Sequence, residues 1–142
     1  MEFARAEAGR RGLPLALAAG VMSDLPYDDG RFDFVLAWNV IYHGNGDVVR
    51  RCVSEIRRVL RPGGVYQGTM LSTRHRAFGR GREVAPNTFV LAGEGDKAHP
   101  HFYCDARELV GLFSGFELRS LVDREQRDAG TYHWHLVAKR QR

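Results

Sequence analysis

Lysine is almost absent from this sequence, cysteine is scarce, and no long apolar run occurs. No apolar stretch approaches the roughly 20 residues that a membrane-crossing helix needs, so no helical span is read and a membrane is excluded as a partner on that ground. The first residues, MEFARAEAGRRG, carry charges where a secretory signal has its apolar segment. The two cysteines, Cys52 and Cys104, are far apart and form no CxxC. That excludes a disulfide-stapled scaffold, and reduced thiols in a cytoplasmic protein are the expectation. Internal repeats, low-complexity tracts and interior linkers are also lacking, so the 142 residues are expected to form a single domain.

Positive charge is plentiful, but it comes nearly all from arginine. Lysine and arginine together number 21 against 17 acidic residues, a net charge of +4. The arginines are interleaved with acids, as in SEIRRVLRPGG and VDREQRDAG, which reads as dispersed solvated faces rather than a phosphate-binding surface. Arg74, Arg76, Arg80 and Arg82 form the single local cluster. It is the one feature that favours nucleic acid as a partner, and no RNA-binding pattern accompanies it, so nucleic acid is disfavoured.

Hydrophobic periodicity orders the rest. Residues 1–11 read as a helix stopped by Gly12. Leu13 to Met22 reads as a short buried strand, and SDLPYDDGRFD as a turn punctuated by Pro26 and Asp-Asp-Gly. Phe32 to Ala37 lacks alternation after Asp33, the pattern of a strand covered on both faces. Val49, Cys52, Val53, Ile56, Val59 and Leu60 recur at helical spacing, and Pro62-Gly63-Gly64 ends that helix before a strand at about residues 65–72. Residues 73–104 read as a long irregular loop, of a length that is usually functional or mobile. Asp105 caps a helix carrying Leu109, Leu112 and Phe113, and two strands joined by QRDAG close the chain as a hairpin. Strands alternating with helices imply an α/β fold with a mostly parallel sheet and an antiparallel last strand.

Two segments taken together, SDLPYDDGRFDFVLAWNVIYH and EIRRVLRPGG, resemble the middle of a class I S-adenosylmethionine-dependent methyltransferase. The resemblance extends over nearly the whole chain and implies a partial Rossmann-like fold, S-adenosylmethionine as cofactor, and methyl transfer to a small-molecule acceptor. By the family's pattern the adenine lies beside the loop after its third strand, here Met22, Ser23 and Asp24. Val21 occupies the position where the family often has an acid, which leaves Asp24 as the nearby carboxylate. Trp38 and Asn39 fall beside the methionine end of the cofactor, and Tyr42 on the acceptor side. His43 is the candidate general base, since imidazole titrates near neutrality. The antiparallel last strand brings Tyr132 and His133 to the same end of the sheet, and the long loop covers it with His75, Asn87, His101 and Tyr103.

The family's glycine-rich turn between its first strand and first helix is not in the sequence, nor is the acid that binds the ribose. GRGRE at residues 79–83 does not follow a strand and open a helix, so it does not supply that turn. The resemblance thus implies a methyltransferase lacking its first strand, first helix and second strand. The strand at residues 32–37 would then offer a bare edge, prone to self-association. The alternatives are a truncated or degenerate relative that binds no cofactor, and a nucleic-acid methyltransferase or binding module suggested by Arg74 to Arg82. Six histidines include two HxH pairs, His99 with His101 and His133 with His135. No third ligand stands at a diagnostic spacing, and no metal is assigned.

Overall fold

Val49, Cys52, Val53, Ile56 and Val59 form the buried face of helix α2 (Gly46–Val59), while Arg50, Arg51 and Arg57 face solvent. Each buried Val or Ile contributes about 1.5–3 kcal/mol of transfer free energy. The Asn45 side chain caps the helix by accepting the Val48 N–H at 3.0 Å. This helix packs on strand β2 (Leu60–Ser72), which starts straight from its C-terminus, five residues earlier than the Pro-Gly-Gly signal suggested. The computed structural model describes residues 1–93 and 98–142.

Around β2 the sheet is mixed. β1 (Phe32–Ala37) runs parallel to it, as does β5 (His101–Cys104). On its other side β7 (Tyr132–Arg140) is antiparallel and pairs in turn with β6 (Phe116–Glu125). Outside β5 in the sheet, though between β2 and β5 in the chain, lies a hairpin of β3 (Arg82–Ala85) and β4 (Thr88–Val90), whose second strand pairs antiparallel with β5. Helix α1 (Glu2–Arg10) precedes β1, and α3 (Ala106–Leu112) follows β5. The class is α/β, as the sequence implied. Two hairpins contribute the antiparallel pairs, so parallel pairing is confined to β1–β2 and β2–β5 among the described residues.

Three expectations are corrected here. Residues 73–104 are not irregular throughout, because they hold β3, β4 and β5; residues 94–97 of that stretch lie outside the description. Leu13 to Met22 forms no strand. Leu13 and Leu15 are exposed, and the segment is ordered at its end by a bridge between Val21 and Asp24. Apolar composition alone does not make a strand when no neighbouring strand takes its backbone hydrogen bonds. Lastly, β1 is covered on one face only: Val35 and Ala37 pack on the core, while Phe34 is 49% and Leu36 58% exposed. Among the described residues β1 pairs with β2 alone, so its outer edge is open.

The expected helix stop at Gly12 is present, with φ at +62° just past α1. Asp105 caps α3 as expected, within a reciprocal capping box with Glu108.

Candidate functional site

Beyond Ala37 the chain cannot continue as a strand, because Asn39 takes a φ of +55°. Thr69, fully buried on β2, holds it there: the Asn39 N–H donates to Thr69 Oγ1 at 2.8 Å, and that hydroxyl donates back to Asn39 Oδ1 at 2.9 Å. Asparagine tolerates this left-handed conformation better than most residues. The turn sends Trp38 one way and Tyr42 with His43 another. Trp38 is 42% exposed, with its ring 5.0 Å from that of His135, while Tyr42 is buried.

Two backbone bonds clip this turn to the start of β5. Gly44 N–H donates to the Pro100 carbonyl at 2.8 Å, and Phe102 N–H donates to the Tyr42 carbonyl at 2.9 Å. They bracket a bridge between His43 and His101. The result is a cluster of rings at the carboxyl end of β1 and β2. The His43 ring lies 5.0 Å from Tyr42, 4.8 Å from His99 and 4.6 Å from His101. Tyr42 extends the cluster to His133 at 6.0 Å; His75 lies 5.5 Å from His133 and 5.8 Å from Tyr103. Of the sequence-predicted residues, Tyr42, His43, His75, His101, Tyr103 and His133 therefore meet.

Their protonation is shaped by backbone partners. His101 Nδ1 lies 2.9 Å from the His99 carbonyl and His133 Nδ1 2.9 Å from that of Thr131, so each is the protonated nitrogen. His75 is the opposite tautomer, since its Nδ1 accepts the Ala77 N–H at 3.0 Å. His43 Nε2 lies 3.2 Å from the Asn39 carbonyl and is assigned the proton, which leaves Nδ1 to meet His99 Nε2 at 2.6 Å. Below the cluster, burial chiefly lowers the pKa of His135, with Arg124 and His133 adding to it.

The loop bearing Met22, Ser23 and Asp24 is anchored by a residue that the sequence did not single out. Arg58, on the last turn of α2, reaches the carbonyls of Tyr27 at 2.7 Å and Leu25 at 2.9 Å, and the Asp29 carboxylate at 2.8 Å. It also makes a two-pronged pair with Glu55, both limbs at 2.8 Å, while Glu55 accepts the Leu25 N–H. The Arg58 guanidinium and that N–H hold the Glu55 carboxyl down at about 2. An arginine one turn before a Pro-Gly-Gly stop, three residues after a glutamate, was the legible signal. Met22 packs on the core, and Asp24 is exposed.

Other predicted residues lie elsewhere. Tyr132 sits under the Arg74 guanidinium, 4.0 Å from the ring centre, and Asn87 occupies the β3–β4 turn with its amide donating to Glu108 at 2.7 Å. Arg74 also contacts Asp123, and Arg76 the Ala129 carbonyl, so these two arginines brace the β6–β7 end. A cleft of about 400 Å³, lined by Asp47, Arg50, Pro86, Phe102 and Glu108 among others, contains none of the predicted site residues.

Residues 1–67 match the family model described as a methyltransferase domain. No curated protein matches the sequence. Among solved structures, a protein from Pyrococcus horikoshii is similar, with a TM-score of 0.76 and 18% identity over 99% of this chain and 66% of its own. The 1,6-didemethyltoxoflavin-N1-methyltransferase of Burkholderia thailandensis, with its substrate and S-adenosylhomocysteine bound, gives 0.73 and 20% over 99% of this chain and 57% of its own. A SAM-dependent methyltransferase from Methanosarcina mazei gives 0.75 and 17% over 99% of this chain and 76% of its own. The chain thus spans under two thirds of the length of the first two.

Proposed function

We propose that this chain, which has the fold of the class I S-adenosylmethionine-dependent methyltransferases, takes part in methyl transfer from S-adenosylmethionine to a small-molecule acceptor. What carries the reading is the placement of Trp38, Asn39, Tyr42 and His43 at the carboxyl end of β1, where open α/β sheets bind their ligands. The Burkholderia relative, a 1,6-didemethyltoxoflavin-N1-methyltransferase, supports the acceptor class.

The residues present fit two parts of the cofactor. The Met22–Asp24 turn, held by Arg58, offers backbone and the Asp24 carboxylate to an adenine. Asn39, fixed by Thr69, presents its amide beside the exposed Trp38 ring. The glycine-rich turn and the ribose-binding acid are not in the sequence, so those contacts are assigned to no residue here. When bound, S-adenosylmethionine supplies an electrophilic methyl carbon on a sulfonium sulfur. His43 Nδ1 takes the proton released by the acceptor by way of His99 Nε2, 2.6 Å from it, while its own Nε2–H is steadied by the Asn39 carbonyl. Tyr42, His75, Tyr103 and His133 shape the acceptor side and exclude water.

The exposed Phe34, Leu36 and Trp38 beside the open edge of β1 favour self-association of two copies through that face. Both parts are tested by calorimetric titration of the purified chain with S-adenosylhomocysteine, run beside sedimentation. Saturable micromolar binding, weakened at least about tenfold by Trp38→Ala, and a dimer are expected. A folded chain that binds nothing overturns the cofactor reading, and a monomer at all concentrations overturns the association.

A further inference from the structure

We propose that His43, His99 and His101 form a binding site for a divalent first-row transition metal, zinc being the fitting ion. One ring nitrogen of each lies within 4.8 Å of those of the other two. Three imidazoles with an open fourth position are the donor set of catalytic rather than structural zinc. Nitrogen ligands alone, with no carboxylate in the group, select zinc, cobalt, nickel or copper over magnesium and calcium, which take oxygen.

The backbone has already brought the ligands together. The bonds Gly44–Pro100 and Phe102–Tyr42 fix the His43 and His101 main chains against each other. The carbonyls of Asn39 and His99 hold protons on His43 Nε2 and His101 Nδ1, so the lone pairs sit on His43 Nδ1 and His101 Nε2. A metal-binding histidine is oriented in this way, by a carbonyl that takes the proton of its other ring nitrogen. His99 Nε2, which donates to His43 Nδ1 at 2.6 Å, completes the set once its proton moves to Nδ1. Zinc–nitrogen bonds of about 2.0–2.1 Å in a tetrahedron place ligand nitrogens about 3.3 Å apart, so the rings need to shift by roughly 1 Å. His99 is exposed and His43 half-buried, which gives the ion both the needed freedom and a path in, while buried His101 forms the floor.

The site deepens the reading of the acceptor pocket without depending on it. With an ion bound, the His43 lone pair is committed, and an acceptor hydroxyl or thiol in the fourth position would lose its proton to solvent through coordination instead.

The untagged full chain is titrated with cobalt(II) alone, followed by visible absorption, and then with zinc(II) in competition. One equivalent should give the intense bands of a tetrahedral cobalt centre, displaced by zinc and not by excess magnesium. His99→Ala, at an exposed position, should weaken binding at least about tenfold with its circular dichroism unchanged, while His135→Asn, outside the cluster, should bind as the parent does. Zinc added to the 15N-labelled parent should also shift three imidazole signals together, which tests the site without any variant. Absence of saturable binding, or His99→Ala binding as tightly as the parent, overturns the proposal. Neither readout involves S-adenosylhomocysteine, so the metal site and the methyl-transfer reading fail separately.

Discussion

Replacing Arg58 by Met removes the guanidinium and keeps the stem, and the consequences follow from its partners. The Arg58 side chain is 30% and Glu55 17% exposed, so their two-pronged pair is partly shielded from water; Asp29, at 80%, adds little. Charge-assisted hydrogen bonds of this kind are worth about 1.5–3 kcal/mol each when shielded, and solvent reduces that here. Losing the pair and the two loop carbonyls together should cost about 2–3 kcal/mol. For a chain of this size, Tm should fall by roughly 6–12 °C in a circular-dichroism melt. The acid limb should change as well. In the folded chain Glu55 is held at about 2, against an ordinary 4.5. A depressed carboxylate stabilises above its unfolded value and loses that contribution as pH falls through the folded one. The parent should therefore lose about 1–2 kcal/mol between pH 4.5 and 2 from this group, after allowance for solvent screening. In Arg58→Met that part of the pH dependence should flatten. Because the same arginine orders the loop carrying Met22, Ser23 and Asp24, affinity for S-adenosylhomocysteine should drop with it. A Tm within 2 °C of the parent and an unchanged acid limb would refute the anchoring role.

Two further substitutions test the core. The Tyr66 hydroxyl is buried with no hydrogen-bond partner among the described residues, and its pKa is raised mainly by that burial. Tyr66→Phe should therefore leave stability unchanged or raise it by up to about 1 kcal/mol in urea titration, and a loss above 1 kcal/mol would reveal a partner for the hydroxyl. Gly68 lies beneath the Tyr66 ring, and a Cβ there would come within 2.6 Å of the Ala37 carbonyl oxygen. Gly68→Ala should cost about 2–3 kcal/mol by prying β1 from β2, and near-neutral unfolding would show that the two strands separate easily.

Legibility in the sequence tracked how local each interaction is. Helix α2 was readable because Val49, Cys52, Val53 and Ile56 repeat on one face, and β6 with β7 because QRDAG joins two apolar runs. The β3–β4 hairpin was not read, although Ala85-Pro86-Asn87-Thr88 carries its signal: Pro at the second position and Asn, with φ at +55°, at the third. Leu13 to Met22 failed for the opposite reason. Its composition is strand-like, but strand formation depends on a neighbour, and composition does not reveal one. Arg58 reads as a solvated arginine in the sequence because its partners at Leu25, Tyr27 and Asp29 lie about thirty residues away. The meeting of His43 with His99 spans 56 residues and depends on a bridge between turn and strand that no spacing rule encodes.

One local event turns the apolar segment FDFVLAWNVIYHG into a site. A strand alternates its side chains between faces, so an unbroken β1 would carry Trp38, Val40 and Tyr42 along the sheet and leave His43 on a separate side from its present neighbours. The left-handed residue Asn39 interrupts that alternation after Ala37. Thr69 supplies both the acceptor and the donor that hold it there, and Asn39 in turn offers its carbonyl to His43 Nε2. The same residue thus sets where the chain turns, which His43 nitrogen carries the proton, and which one points at His99. Trp38 and the imidazole cluster are consequently placed on two sides of one turn, with Asn39 between them.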